Sequence, residues 1–409
     1  MKNFNPEQAM WECAREFGEH DGVLPSISRS ATFKVRDPKT MPKIFKGVRG
    51  PDKGGCFLYS RHFNPTVSVL ARYLAAMEGT KSAACSASGM SAIACTLSQL
   101  CSEGGHIVSS KTVYGGTHAL LGELFPNMGI TTTFVDPTDT AAFESAVTPD
   151  TRVLFTEALG NPTLKVADIP ALSRLARKNN LSLVVDNTFT PMVISPARLG
   201  ADVVIHSLTK FINGASDLIA GAICATKEFI SSLLNLHTGR LMLLGPTLDS
   251  RAAFDVIQRL PNLAIRMREH SARAMAIAEH LESLGAPVVY PGLPSHPQHD
   301  LMTSIINEGF GYGGMLTLDC GTRAKADEFL FFLQNKENFG HIAVSLGYYD
   351  TLMTCSGSST SSEIPLEEQT RMGLSPGLVR LAIGYTGSLE HRIKQIDRAV
   401  KAVGLLKTF

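Results

Sequence analysis

From about residue 82 to residue 237 short runs rich in β-branched residues alternate with helical patterns, and this alternation limits the fold more than any other feature of the sequence. "HIVSS", "ITTTFVD", "TRVLFTE", "LSLVVD", "DVVIHS" and "LIAGAICA" read as strands, with "GMSAIACTLSQL" and "IPALSRLARKNN" as helices among them. Strands separated by helices form a mostly parallel sheet covered on both faces, an α/β architecture. A long charged helix, "NLAIRMREHSARAMAIAEHLESLG", leads into a second alternating section with "GGMLTLDCG", "HIAVSLG" and "LVRLAIG", closed by "SLEHRIKQIDRAVKAVG". We read this section as a smaller C-terminal α/β domain. The chain has 409 residues, more than one hydrophobic core usually organises, which agrees with a division near residue 260.

In such sheets ligands gather beyond the carboxyl ends of the strands, so polar residues there carry the functional argument. "SLVVD" ends in Asp186, "RVLFTE" ends in Glu157 with Asn161 just beyond, and "DVVIHS" runs into Ser207, Thr209 and Lys210. A carboxylate closing a buried apolar strand needs a cationic or hydrogen-bonding partner. For Asp186 that partner is either a ligand or a helix cap or internal ion pair. Asn161 before Pro162 also reads as a turn residue, and Glu157 reads as structural. In "CSASGMSAIACTL" small residues lead from a short strand into a helix, so the N–H groups of Ser88, Gly89 and Met90 would face an anion there. Tight packing is the other reading of that stretch. Lys210 stands among apolar and small residues, where burial depresses a lysine's pKa and favours the neutral, nucleophilic amine.

Other chemistries find less support. Lys plus Arg number 38 against 37 Asp plus Glu, which gives no electrostatic reason to expect nucleic acid or an anionic membrane. No uncharged apolar run approaches about 18 residues, and no N-terminal signal pattern is seen, so we expect a cytoplasmic protein. The eight cysteines form no C-x-x-C pair. "GFGYGG" satisfies a dinucleotide fingerprint literally, but it precedes a strand rather than a helix. His296 and His299 in "SHPQH" read as loop rather than as half of a metal site.

A phosphate cup, a ring-facing carboxylate and a desolvated lysine are together what pyridoxal 5'-phosphate requires. In order along the chain, "YSRHFNPT", "SASGMSA", "TVYGGTH", "GNPT", "VVDNTF", "HSLTKF" and "LVRLAIG" resemble the motifs of the Cys/Met-metabolism family of fold-type I pyridoxal-phosphate enzymes. The resemblance covers almost the whole chain. "REFGEH", "LMLLGPT", "YPGLPSHPQH" and "SLGYYDTLMTCSGSSTSSE" are similar to the plant-type, methionine-cleaving branch of that family.

The resemblance implies an aminotransferase-like fold with an N-terminal arm (1–60) serving a neighbouring subunit, a cofactor-binding domain (61–260) and a C-terminal domain (261–409). It implies a homotetramer built as a dimer of dimers. Lys210 becomes the cofactor-linked lysine. Ser207 and Thr209 join Ser88, Gly89 and Met90 at the phosphate, which Tyr59 and Arg61 reach from the neighbouring subunit. Asp186 meets the ring nitrogen, Thr188 and Asn161 flank the ring, and Tyr114 stacks on it and can give a proton to the departing thiol. Arg380, otherwise a salt-bridge arginine, takes the substrate carboxylate with Ser345 assisting, while Leu58 and Val344 face the far end of the amino-acid substrate. The implied reaction is γ-elimination of methionine. Cystathionine cleavage, a γ-replacement transferase and a catalytically silent subunit are the competing readings.

Overall fold

The computed structural model describes residues 4–13, 15–46, 48–50, 56–356, 367, 369 and 374–406. Its larger sheet has seven strands: β1 (Ser82–Ser86), β2 (Gly105–Ser110), β3 (Ile130–Val135), β4 (Thr151–Glu157), β5 (Ser182–Asp186), β6 (Val203–Ser207) and β7 (Gly221–Ala225). They lie in the order β1-β7-β6-β5-β4-β2-β3. Only β7 runs against its neighbours; β2 to β6 pair in parallel. Both faces of this sheet are buried, so its strands read as apolar runs rather than as alternating ones. Successive residues still point to opposite sides. Val153 and Phe155 of β4 enter one core with Ile107, Val184 and Ile205, while Leu154 enters the other with Val108, Leu183 and Val204.

The helix Gly89–Leu100 begins where β1 ends. Ser88 caps it by accepting the Ser91 N–H at 3.0 Å, and Ser91 Oγ accepts the Ser88 N–H at 3.1 Å in return. This reciprocal box satisfies two end groups and leaves the N–H groups of Gly89 and Met90 with no acceptor inside the helix. The helix Pro65–Glu78, absent from the sequence reading, has Asn64 as its cap and stops at Gly79, whose φ of +73° suits glycine.

Leu263–Ser283 is a helix of 21 residues, about 30 Å long, that leads to the second sheet. That sheet comprises β8 (Val288–Val289), β9 (Met315–Asp319), β10 (His341–Ile342), β11 (Leu352–Cys355) and β12 (Leu378–Ala382), in the order β10-β11-β12-β9-β8. It has its own core, in which Leu316, Leu318, Met353, Val379 and Leu381 meet Phe329, Ile396 and Val400. Its pairing is antiparallel except for β10 with β11. "HIAVSLG" is a strand only over His341–Ile342, because Ser345 (φ +85°) and Gly347 (φ +77°) turn the chain out of the extended region. "GFGYGG" is a loop before β9, as read. Among the described residues no helix is long and apolar enough to cross a membrane.

Candidate active site

The residues picked from the sequence lie where five segments leave the larger sheet: Ser88 to Met90 after β1, Tyr114 after β2, Asn161 after β4, Thr188 after β5, and Thr209 and Lys210 after β6. Parallel register places them side by side, and Glu157 and Asp186, the last residues of β4 and β5, are direct partners across the ladder. Gly89 lies against Ser207. A Cβ added to it would stand 2.7 Å from the Ser207 Cβ, so the helix start and the end of β6 touch through a position that only glycine fills.

Lys210 is held by the smaller sheet's side of the molecule. Its Nζ donates to Ser345 Oγ at 2.7 Å, and burial, with a smaller contribution from Arg380, pushes its pKa from 10.5 down to about 8. Gly347 packs on the next peptide, since a Cβ there would come within 2.3 Å of the Phe211 nitrogen. From the long helix, Arg266 donates to the carbonyls of Phe211 and Ile212, so the turn carrying the lysine is clamped from two directions.

Arg380 in β12 is 2% exposed. It donates Nη1–H to Asn161 Oδ1 and Nη2–H to the Ser345 carbonyl, each at 2.9 Å, and its Nε–H has no acceptor. No carboxylate forms an ion pair with it among the described residues, and burial pulls its pKa down to about 10. A buried guanidinium with an unfilled donor is a receptor for an incoming carboxylate.

Asp186 is 8% exposed and accepts the Thr188 N–H at 2.9 Å. It joins no ion pair among the described residues, and burial raises its pKa. Thr188 Oγ1 in turn accepts the Ser207 N–H at 2.9 Å, and Thr209 Oγ1 accepts the Ala220 N–H at 3.1 Å across the turn that holds Lys210. Tyr114 is 40% exposed, and its ring lies over Gly116, where a Cβ would stand 2.6 Å from it.

Four more of the expected site residues, Tyr59, Arg61, Leu58 and Val344, have other surroundings. The Arg61 guanidinium lies over the Tyr59 ring and donates to the Met242 carbonyl at 3.2 Å. Leu58 is partly buried, its carbonyl accepting the Phe33 N–H, while Val344 is 65% exposed beside Ser345. His296 accepts the Gln298 N–H, and His299 stacks on Tyr312, so both rings have local partners.

Sequence reasoning passed over Arg266, although the signal was present: it is three residues after Leu263 and four before His270, on the buried face of the helix.

The desolvated Lys210 has a thermodynamic consequence. In cofactor-free protein the folded state releases the Lys210 proton near pH 8, whereas the unfolded chain keeps it to 10.5, so the unfolded state binds more protons between those values and the stability contribution rises with pH across that window. Below it, the charged amine costs roughly 3 kcal/mol. Cofactor-free Lys210→Met protein should therefore exceed the parent in urea midpoint at neutral pH, with a gap that narrows towards about pH 10. A constant gap would show that the gain has another origin.

The chain is similar to known proteins along almost its whole length. The family described as Cys/Met metabolism PLP-dependent enzyme matches residues 12–401. A methionine gamma-lyase of Arabidopsis thaliana is 52% identical over 97% of this chain and 90% of its own length. An L-methionine gamma-lyase of Fusobacterium nucleatum subsp. polymorphum is 35% identical over 94% and 97%. The crystal structure of a putative O-acetylhomoserine (thiol)-lyase from Campylobacter jejuni, with a pyridoxyl-lysine monophosphate in its chain, superposes with a TM-score of 0.89 at 27% identity, covering 97% of this chain and all of that one.

Proposed function

The chain belongs to the Cys/Met metabolism family of PLP-dependent enzymes, and from that premise we propose that it is a methionine γ-lyase, converting L-methionine and water to methanethiol, 2-oxobutanoate and ammonia. The observation that carries the reading is the line Lys210–Ser345–Arg380, which sets a depressed-pKa amine beside a buried guanidinium that lacks a carboxylate. The 52% identity to a protein named methionine gamma-lyase supports the choice of substrate.

The residues fit pyridoxal phosphate. Asp186 is a buried carboxyl with no ion-pair partner among the described residues, which suits a protonated ring nitrogen. The first-turn N–H groups of Gly89 and Met90, beside the Ser207 hydroxyl, suit its phosphate. On this reading Lys210 would hold the cofactor through its amine, Thr209 would join the residues that bind its phosphate, Tyr114 would cover its ring, and Thr188 and Asn161 would border it. When bound, the cofactor supplies an electron-withdrawing ring that makes the Cα proton of an amino acid acidic.

Arg380 forks onto the methionine carboxylate, held in aim by Asn161 Oδ1 and the Ser345 carbonyl. Lys210 Nζ, once the incoming amino group has released it from the cofactor and with a pKa low enough to leave an unprotonated fraction near neutrality, takes the Cα proton and then moves a proton at Cβ. Tyr114 Oη gives a proton to the methylthio sulfur as the Cγ–S bond breaks. Water releases ammonia and leaves the keto acid. Tyr59 and Arg61, which meet one another and, through Arg61, the Met242 carbonyl in their own chain, support a site completed by a second copy. All eight cysteines are free, which supports a cytoplasmic setting.

Substrate choice is expected to rest on Leu58 and Val344. Cystathionine carries a charged amino-acid head at its far end, which apolar side chains cannot hydrogen-bond, whereas a thioether methyl gains about 0.8 kcal/mol per buried carbon. The expected result is a higher kcat/KM for methionine than for cystathionine, with the ratio narrowed or reversed in Leu58→Glu/Val344→Glu. A parent enzyme that prefers cystathionine would overturn the assignment. The same product analysis with an added thiol distinguishes elimination from replacement.

A further inference from the structure

We propose that Glu157 is a positioning residue that fixes the Arg380 guanidinium and the Tyr114 ring relative to one another, by accepting hydrogen bonds from the two loops that carry their supports. Glu157 Oε1 accepts the Tyr114 N–H at 2.7 Å, and Oε2 accepts the Asn161 N–H at 2.8 Å. Asn161 Oδ1 in turn accepts from Arg380 Nη1 at 2.9 Å. One 7%-exposed carboxyl group thus joins the segment after β2, the segment after β4 and, through Asn161, the centre of β12.

The chemistry of the group singles out glutamate. Two backbone N–H groups in a buried place need two acceptors, and only a carboxylate offers both; an amide would turn its own NH2 towards one of them. The charge has a second use. Arg380 has no carboxylate in direct contact among the described residues, and the negative charge of Glu157 lies behind Asn161, one hydrogen bond further on. That arrangement balances the guanidinium without a direct ion pair, so its Nε–H and the remaining Nη hydrogens stay available for a substrate carboxylate. Burial and the adjoining Asp186 raise the Glu157 pKa, while the two N–H bonds and Arg380 act in the opposite direction and favour the carboxylate.

The inference rests on the reading of Arg380 as the carboxylate anchor, and the test separates the two. Binding to the holoenzyme is measured by titration calorimetry with two probes, methionine lacking its amino group and methionine lacking its carboxyl group. Glu157→Gln should weaken the carboxylate probe about tenfold and leave the amine probe within about twofold; Arg380→Ala should weaken the same carboxylate probe, and in that background Glu157→Gln should add nothing. Glu157→Asp, which keeps the charge but withdraws the oxygens by one carbon, should show the same split, with thermal unfolding of the cofactor-free protein as the control for folding. Equal weakening of both probes, or effects that add in the double variant, would overturn the role of Glu157. An unchanged carboxylate affinity in Arg380→Ala would overturn the reading of Arg380 and this inference with it.

Discussion

Lys210→Ala protein is expected to hold the cofactor without a covalent link and to produce no methanethiol above background. The reason is local. The Lys210 amine is the one base held by Ser345 beside Arg380, and burial lowers its pKa to about 8, close enough to neutrality for a useful unprotonated fraction. Alanine leaves the first-turn N–H groups of Gly89 and Met90, the Asp186 carboxyl and the Arg266 clamp in place, so binding and fold should survive. The measurement is borohydride reduction of the parent holoenzyme followed by peptide mapping, together with turnover of the variant. A reduced label on any lysine other than Lys210 would refute the assignment.

Asp186→Asn should retain the cofactor and lose activity by roughly 10²-fold or more, the scale seen when a preorganised electrostatic group is removed from a dry site. Asparagine preserves the oxygen that accepts the Thr188 N–H, so the β5 terminus keeps its shape while the charge disappears. The substitution also removes one of the two influences that raise the Glu157 pKa, which should therefore fall. Turnover within a few-fold of the parent would mean that the carboxylate does not tune the ring.

The sequence made the larger sheet readable because β4, β5 and β6 are short apolar runs ending in a polar residue, and buried strands of this kind tolerate little else. Asp186, Ser207 and Lys210 could be selected from that pattern alone. The reversal of β7 could not, since "LIAGAICA" is equally apolar in either direction. The antiparallel pairing of the smaller sheet was hidden for a similar reason: β12 lies between β9 and β11, and sequence order does not reveal which neighbour a strand will take. Arg380 by itself looked like an ion-pair arginine, and only the fold brings it to Asn161, 219 positions away. Glu157 was readable as a buried carboxylate but not as a junction, because its partners are main-chain N–H groups of residues whose side chains drew attention instead.

The reversed strand also fixes an order of assembly. Because β7 follows β6 directly and pairs with β1, the segment from Ser82 to Ala225 contains the whole larger sheet and, with it, Gly89, Asp186, Ser207 and Lys210. Ser345 and Arg380 belong to a stretch made later, and chains emerge from the ribosome N-terminus first. The lysine turn is therefore laid down before the parts that hold its amine and peptide exist. During synthesis the half of the pocket that meets the cofactor precedes the half that meets the amino acid, and the arrival of residues 345 to 380 turns a binding surface into an enzyme.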